Sequence, residues 1–353
     1  MNVRLGGKKL EYSKTHIVFE AGPTHTGIES AKQLADLAKN AGADSVKFQT
    51  IDADRLMADK NILFEYSYLH KDPDGNLSYI PIKEPLYDIL KRRYLSKDEW
   101  RELKLHCDSI GIHMFTTACY KDEVDFLVDE LKIDSIKINS SDINQLDLIR
   151  YIARKGVNIQ LDTGSSDLWE IEKAVIAIEE EGNENIIIHH CPSGYPARLE
   201  SIHLNMIPTL KEMFPNYLIA FSDHNPGFEM DVAAISLGAG MVEKTITLDR
   251  FIKSCEHSYS LEGGELLEFT RVIRDVEVAF GDKRRILPPL KRVSRKNTRR
   301  SPYALRELKQ GELIQAADFE FKRPGNGLSE EEFEGLLGTP LKEALMSNQP
   351  LIQ

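Results

Sequence analysis

A chain of 353 residues has room for one large domain and one small one. Its 41% hydrophobic and 29% charged residues match an ordinary soluble globular protein, and the pattern predicts neither a signal peptide nor a membrane-length apolar run. A net charge of -11 argues against nucleic acid or any other polyanion as a general partner, so an anionic ligand has to be caught locally.

In chain order, short apolar runs at His16–Gly22, Ser45–Thr50, His113–Ala118, Ser135–Ser140, Asn158–Gly164, Asn185–Cys191, Leu218–His224 and Met241–Asp249 predict strands. Helical spacing follows them at Glu29–Asn40, Lys97–Ser109, Asp122–Glu130, Leu146–Arg154, Leu168–Glu181, Leu204–Met213, Phe228–Leu237 and Gly264–Phe280. Strands that are β-branched and apolar on both faces suit a parallel sheet covered by helices. Eight strands alternating with helices predict a closed (β/α)8 barrel of the α/β class over residues 1–283. An open doubly wound sheet is the alternative, but the glycine-rich first turn of dinucleotide binders is missing.

The connection from Ile51 to Ser96 is long, holds the turn Asp72-Pro-Asp-Gly75 and several aromatics, and reads as a lid over the strand ends. Residues 284–300, rich in Lys and Arg around Leu-Pro-Pro-Leu, read as a basic linker. Residues 301–353 read as a small mixed domain, short of the size that guarantees stability alone. Cys107, Cys119, Cys191 and Cys255 form no Cys-x-x-Cys pair, which speaks against a zinc knuckle and for a reducing, cytoplasmic setting.

Two lysines stand out. Ala43-Asp-Ser-Val-Lys-Phe-Gln-Thr50 and Ile133-Asp-Ser-Ile-Lys-Ile-Asn-Ser140 each place an ammonium, Lys47 and Lys137, inside a strand. A buried ammonium costs several kcal/mol unless an anion meets it. The anion is either a protein carboxylate, giving a structural ion pair, or a bound phosphate or carboxylate, marking an active site. In a barrel the active site lies at the C-terminal strand ends. Those ends carry Glu20, Lys47 with Gln49, Thr116 with Thr117, Lys137 with Ser140, Asp162 with Thr163, His190, Ser222 with His224, and Glu243 with Thr245. Ammonium and hydroxyl donors in such number suit a phosphorylated or carboxylated substrate. His189-His190-Cys191 is ambiguous in the same way as a lone strand-end histidine, one option being that His190 faces the site while His189 packs outward. His224 is either a hydrogen-bonded structural residue, a metal ligand or a general acid/base.

At these motifs the chain resembles the sialic acid synthase family, which condenses phosphoenolpyruvate with an N-acylated aldose to a nonulosonic acid. Glu20-Ala-Gly-Pro-Thr-His-Thr-Gly27, Ala41–Thr50, His190-Cys-x-Ser-x-Tyr-Pro196 and Ser222-Asp-His224 are similar to family motifs. Lys322-Arg-Pro-Gly-Asn-Gly327 resembles the signature of the family's C-terminal antifreeze-like (SAF) domain. The resemblance implies a barrel plus that domain, in a domain-swapped homodimer. It implies phosphoenolpyruvate binding by Lys47, Thr117, Lys137, Ser140, Ser193 and Ser222. Gln49, Tyr195 and Glu256 would contact the sugar, with Arg323 arriving from the other subunit. Glu20, Lys137 and Asp142 would take part in the chemistry, Asp142 handling a water proton.

The resemblance also implies a divalent ion, manganese or magnesium, that polarises the aldehyde. His224 falls at one of the family's two ligand histidines, but Thr245 stands at the other. A neutral hydroxyl replaces imidazole poorly at a transition metal. The family's Leu-Ser-Thr-Gly reads Leu161-Asp-Thr-Gly164, and Asp162 is expected to join the metal, repel a phosphate or pair with Lys137. Ser254-Cys-Glu-His257 replaces Gly-Pro-Asp-His. These departures leave room for a metal-independent reaction on another aldose or aldose phosphate, or for a silent sugar-acid-binding homologue.

Overall fold

The computed structural model describes residues 3–281 and 288–352. The chain divides after Phe280 into two compact units.

In the first unit, eight parallel strands close on themselves. They are β1 (His16–Glu20), β2 (Ser45–Phe48), β3 (His113–Thr117), β4 (Ser135–Ile138), β5 (Asn158–Asp162), β6 (Ile186–His190), β7 (Leu218–Asp223) and β8 (Met241–Thr247). Each pairs with the next, and β8 pairs with both β7 and β1, so no edge is left open. The strands are buried nearly throughout, which is why both faces are apolar in sequence.

The helices bury one stripe each. On Ile28–Asn40, Ala31, Leu34, Ala35 and Ala38 face the sheet at the i, i+3, i+4, i+7 spacing of a helix surface. Lys97–Ile110 begins in a capping box, where Glu99 accepts the Ser96 amide and Ser96 accepts the Glu99 amide, and it ends at left-handed Gly111 (φ 67°). The helix expected over Asp122–Glu130 is α only at Lys121–Val124 and continues as π-helix through Asp125–Glu130.

The long connection is an ordered hairpin, Leu63–Lys71 against Leu77–Pro85, followed by the helix Leu86–Lys91. Its turn is held by Asp72, which accepts the Asn76 amide at 2.8 Å. Tyr66 and Ile89 pack with Cys255, from the loop after β8, in a cluster of their own. The insertion therefore stands beside the C-terminal ends of the strands.

In the second unit, Ser301–Ala304 pairs antiparallel with Phe319–Lys322 around a core of Ala304, Leu308, Ile314, Phe319, Phe333, Leu341 and Leu351. Pro289–Thr298, within the span read as linker, is an exposed α-helix. Residues 284–287 of that span lie outside the described residues.

Candidate active site

The strand register brings the polar ends together. β1 ends in Glu20, paired across the ladder with Lys47 of β2, while Lys137 lies opposite Thr117 of β3. Glu20, Lys47, Gln49, Ser140, Asp142, Asp162, Tyr195, His224, Glu243 and Glu256 all line one cavity of about 410 Å³.

Its floor is a buried ion network. Lys47 pairs with Glu20 and, at 3.0 Å, with Glu243. Lys137, wholly buried, meets Glu243 at 2.9 Å, Asp162 at 3.2 Å and the Ser222 hydroxyl at 2.9 Å. Gln49 donates to Glu20 at 3.2 Å. Glu20 also accepts the Gly22 amide at 2.6 Å, and a Cβ at Gly22 would come within 2.6 Å of the Gln49 nitrogen and 2.8 Å of that carboxylate. Glycine is required there by close approach.

Three carboxylates thus face two ammoniums. Burial pushes Glu243 up, but Lys137 and Lys47 outweigh it and hold the carboxyl well below its ordinary range. Asp162 is balanced the same way, burial against Lys137, and ends below its ordinary value. For Glu20, burial and the Glu243 charge prevail over Lys47, so it sits above the usual glutamate range. Burial acts to lower Lys47, yet Glu20 and Glu243 raise it, keeping it a cation.

The structure resolves the ambiguous histidine pair. His189, not His190, faces the interior: it lies opposite Asp162 in the ladder, and its Nε2 donates to the Gln160 Oε1 at 2.8 Å. Burial, with Lys137 nearby, lowers it to about 3, so it is neutral. His190 points the other way, to the Ile202 carbonyl and the Phe221 ring. Asp223, likewise on the outer parity, forms a buried ion pair with Lys244.

At the rim, Asp142 follows β4 in a short 3-10 turn, 3.9 Å from the Cys119 thiol, and burial raises its carboxyl. Tyr195 lies against His224 with ring centroids 4.7 Å apart, and the Phe64 ring of the hairpin is 6.5 Å from Tyr195. Glu256 pairs with buried Arg93 at 3.2 Å and accepts the Tyr259 hydroxyl at 3.0 Å. Thr117 is buried and its hydroxyl has no partner among the described residues. Of the expected phosphoenolpyruvate residues, Lys47 and Ser140 are on the cavity wall, whereas Thr117, Lys137, Ser193 and Ser222 are not: Lys137 and Ser222 lie behind Glu243, and Ser193 donates to the Gly164 carbonyl. Arg323 is exposed in the second unit. Arg93 was not singled out by sequence, because it ends no strand; Glu243, read there as a strand end, is the third residue of β8, and nothing local marked it as the partner of both lysines.

A two-histidine metal centre does not fit these residues. Thr245 is buried and hydrogen-bonded to Tyr259. His224 Nδ1 lies 3.2 Å from the Pro192 carbonyl. Asp162 is engaged by Lys137, and among the described residues no three His, Cys, Asp or Glu side chains come together as a metal site.

Comparison with known proteins agrees with this architecture. The NeuB family model matches residues 34–285 and the SAF domain model matches residues 299–352. N,N'-diacetyllegionaminic acid synthase of Campylobacter jejuni is 32% identical, the alignment covering 92% of this chain and 95% of that one. Human N-acetylneuraminate-9-phosphate synthase is 32% identical over 84% of this chain and 80% of its own. The crystal structure of the Bacillus subtilis spore coat polysaccharide biosynthesis protein spsE superposes with a TM-score of 0.65 at 27% identity, covering 99% of this chain and 97% of that one.

Proposed function

The chain belongs to the NeuB family, and on that premise we propose that it condenses phosphoenolpyruvate with an open-chain N-acylated aldose to give a nonulosonic acid and phosphate. One observation carries the reading: two buried ammoniums and a hydroxyl converge on one carboxylate oxygen, that of Glu243, at the border of a cavity of about 410 Å³.

In this reaction the phosphoryl group lies against Lys47, Lys137 and Ser222, with Ser140 beside it. The methylene carbon attacks the aldehyde carbon, forming the new carbon–carbon bond while the aldehyde oxygen takes up a proton. Water adds to the cationic carbon left behind, and the tetrahedral intermediate collapses to the ketone as its carbon–oxygen bond to phosphate breaks. Asp142, whose carboxyl burial raises, is placed to handle the proton of that water. Lys47 and Lys137 stabilise charge as it gathers on the departing phosphate. Gln49, Tyr195 and Glu256 line the sugar side, and Glu20 holds Gln49 and Lys47 in place.

The experiment is phosphate release from phosphoenolpyruvate in the presence of single aldoses: N-acetylmannosamine, its 6-phosphate and a 2,4-diacetamido hexose. Release that depends on one of them supports the reading. No release with any of them, with or without manganese, refutes it.

A further inference from the structure

One carboxylate oxygen in the site carries three donors. Glu243 Oε1 receives Lys47 Nζ at 3.0 Å, Lys137 Nζ at 2.9 Å and the Ser222 hydroxyl at 2.9 Å. Its other oxygen, Oε2, is buried and has no hydrogen-bond partner among the described residues. A carboxylate has acceptor sites on both oxygens and ordinarily divides its donors between them. Here the same three donors that the proposed reaction gives to phosphate are gathered on one atom.

We propose that Glu243 sets the anion selectivity of the barrel mouth: its carboxylate holds the oxyanion position itself and yields it to a phosphoryl group but not to a monocarboxylate. The inference rests on the proposed function and adds to it a residue that discriminates among anions.

The argument is one of charge and room. Two desolvated ammoniums without partners would cost several kcal/mol. Glu243, fixed on β8, supplies the partner to both. The groups around it come from every side: Glu20 on β1, Lys47 on β2, Lys137 on β4, Asp162 on β5, His189 on β6 and Ser222 on β7. Three carboxylates already exceed two ammoniums, so a further anion cannot simply be added; it has to replace one. A monocarboxylate offers a single charge in exchange for a single charge already desolvated and in place. A phosphoryl group brings nearly two charges and three strong acceptor oxygens, enough to take both ammoniums and the hydroxyl together. Glu243 borders the cavity, which gives the displaced carboxylate somewhere to go.

The test is calorimetric titration of the wild type and Glu243→Gln with phosphoenolpyruvate and with pyruvate. The amide keeps the shape and removes the competing charge. The wild type is expected to bind phosphoenolpyruvate and not pyruvate. Glu243→Gln is expected to bind phosphoenolpyruvate at least about tenfold tighter, equivalent to ~1.4 kcal/mol, and to gain pyruvate binding. Wild-type binding of phosphoenolpyruvate with no gain in the variant overturns the inference and leaves the proposed function standing. If neither protein binds phosphoenolpyruvate, both fall. Should the variant not fold, a crystal structure of the wild type with phosphoenolpyruvate decides: Glu243 Oε1 retaining both ammonium contacts beside the bound anion overturns the inference, and its departure from them supports it.

Discussion

Replacing Lys137 by methionine is the most informative perturbation of the ion network, because the same residue is structural and functional. Its ammonium is fully buried and touches Glu243, Asp162 and Ser222 at 2.9 to 3.2 Å. Removing it leaves three carboxylates facing only Lys47. Breaking a buried pair from one side costs about 3–5 kcal/mol, since the remaining charge stays desolvated and unpaired. Adding Glu243→Gln removes the stranded carboxylate and restores a single-charge excess. The double variant is therefore expected to recover about 0.5–3 kcal/mol, the range of coupling between groups in contact. Urea unfolding of the four proteins of the cycle measures this directly. A double variant no more stable than Lys137→Met alone would refute the reasoning, because Glu243 would then not be the partner whose charge is left behind.

Other parts of the structure yield further expectations. His25 is buried edge-on to Phe48, has no hydrogen-bond partner among the described residues, and is lowered by burial to about 4. The unfolded chain binds that proton below pH ~6.5, so its contribution is full above that pH and is lost as the pH falls toward 4, for a total of about 3 kcal/mol. Urea unfolding at pH 7.5 and 4.5 should show His25→Phe losing less stability on acidification than the wild type; parallel losses would contradict the assignment. Tyr259→Phe removes the donor to Glu256 Oε2 and the partner of buried Thr245, while Arg93 still pairs with Glu256, and is expected to cost about 1–3 kcal/mol by the same measurement, with a neutral effect ruling against the hydrogen-bond chain. Manganese titrated into the substrate-free protein should give no tight binding, because His224 lacks a second imidazole; a low-micromolar dissociation constant would show that other ligands assemble around it.

The barrel was legible in the sequence because each strand is a short run buried on both faces, and the helix stripes follow from spacing alone. All eight strand candidates coincide with the barrel strands of the structure. The hairpin at Leu63–Pro85 was less so: only Tyr66 and Leu69 are buried, the second strand is half-buried or exposed throughout and carries Pro81, so no apolar run announces it. The helix at Pro289–Thr298 was hidden by its charge, since it buries no residue.

Within the site, sequence pointed to the strand-end lysines and their neighbours Glu20, Gln49, Asp162 and Ser222. It could not say which carboxylate answers which ammonium, because Lys47 and Glu243 are 196 residues apart and meet only once the barrel closes. The facing of His189 and His190 was ambiguous in sequence for a related reason: it is set by register, and His189 lies opposite Asp162, which points inward to Lys137. Asp162 itself had three expected roles at the sequence level, and its 3.2 Å contact with Lys137 places it in the ion network.

The most direct test of the condensation is phosphoenolpyruvate labelled with 18O in the bridging oxygen, reacted with the aldose that drives phosphate release and followed by mass spectrometry. The account predicts a product heavier than the aldose by one pyruvate unit, with the label in the released phosphate. Labelled pyruvate, unlabelled phosphate and an unchanged aldose would contradict it.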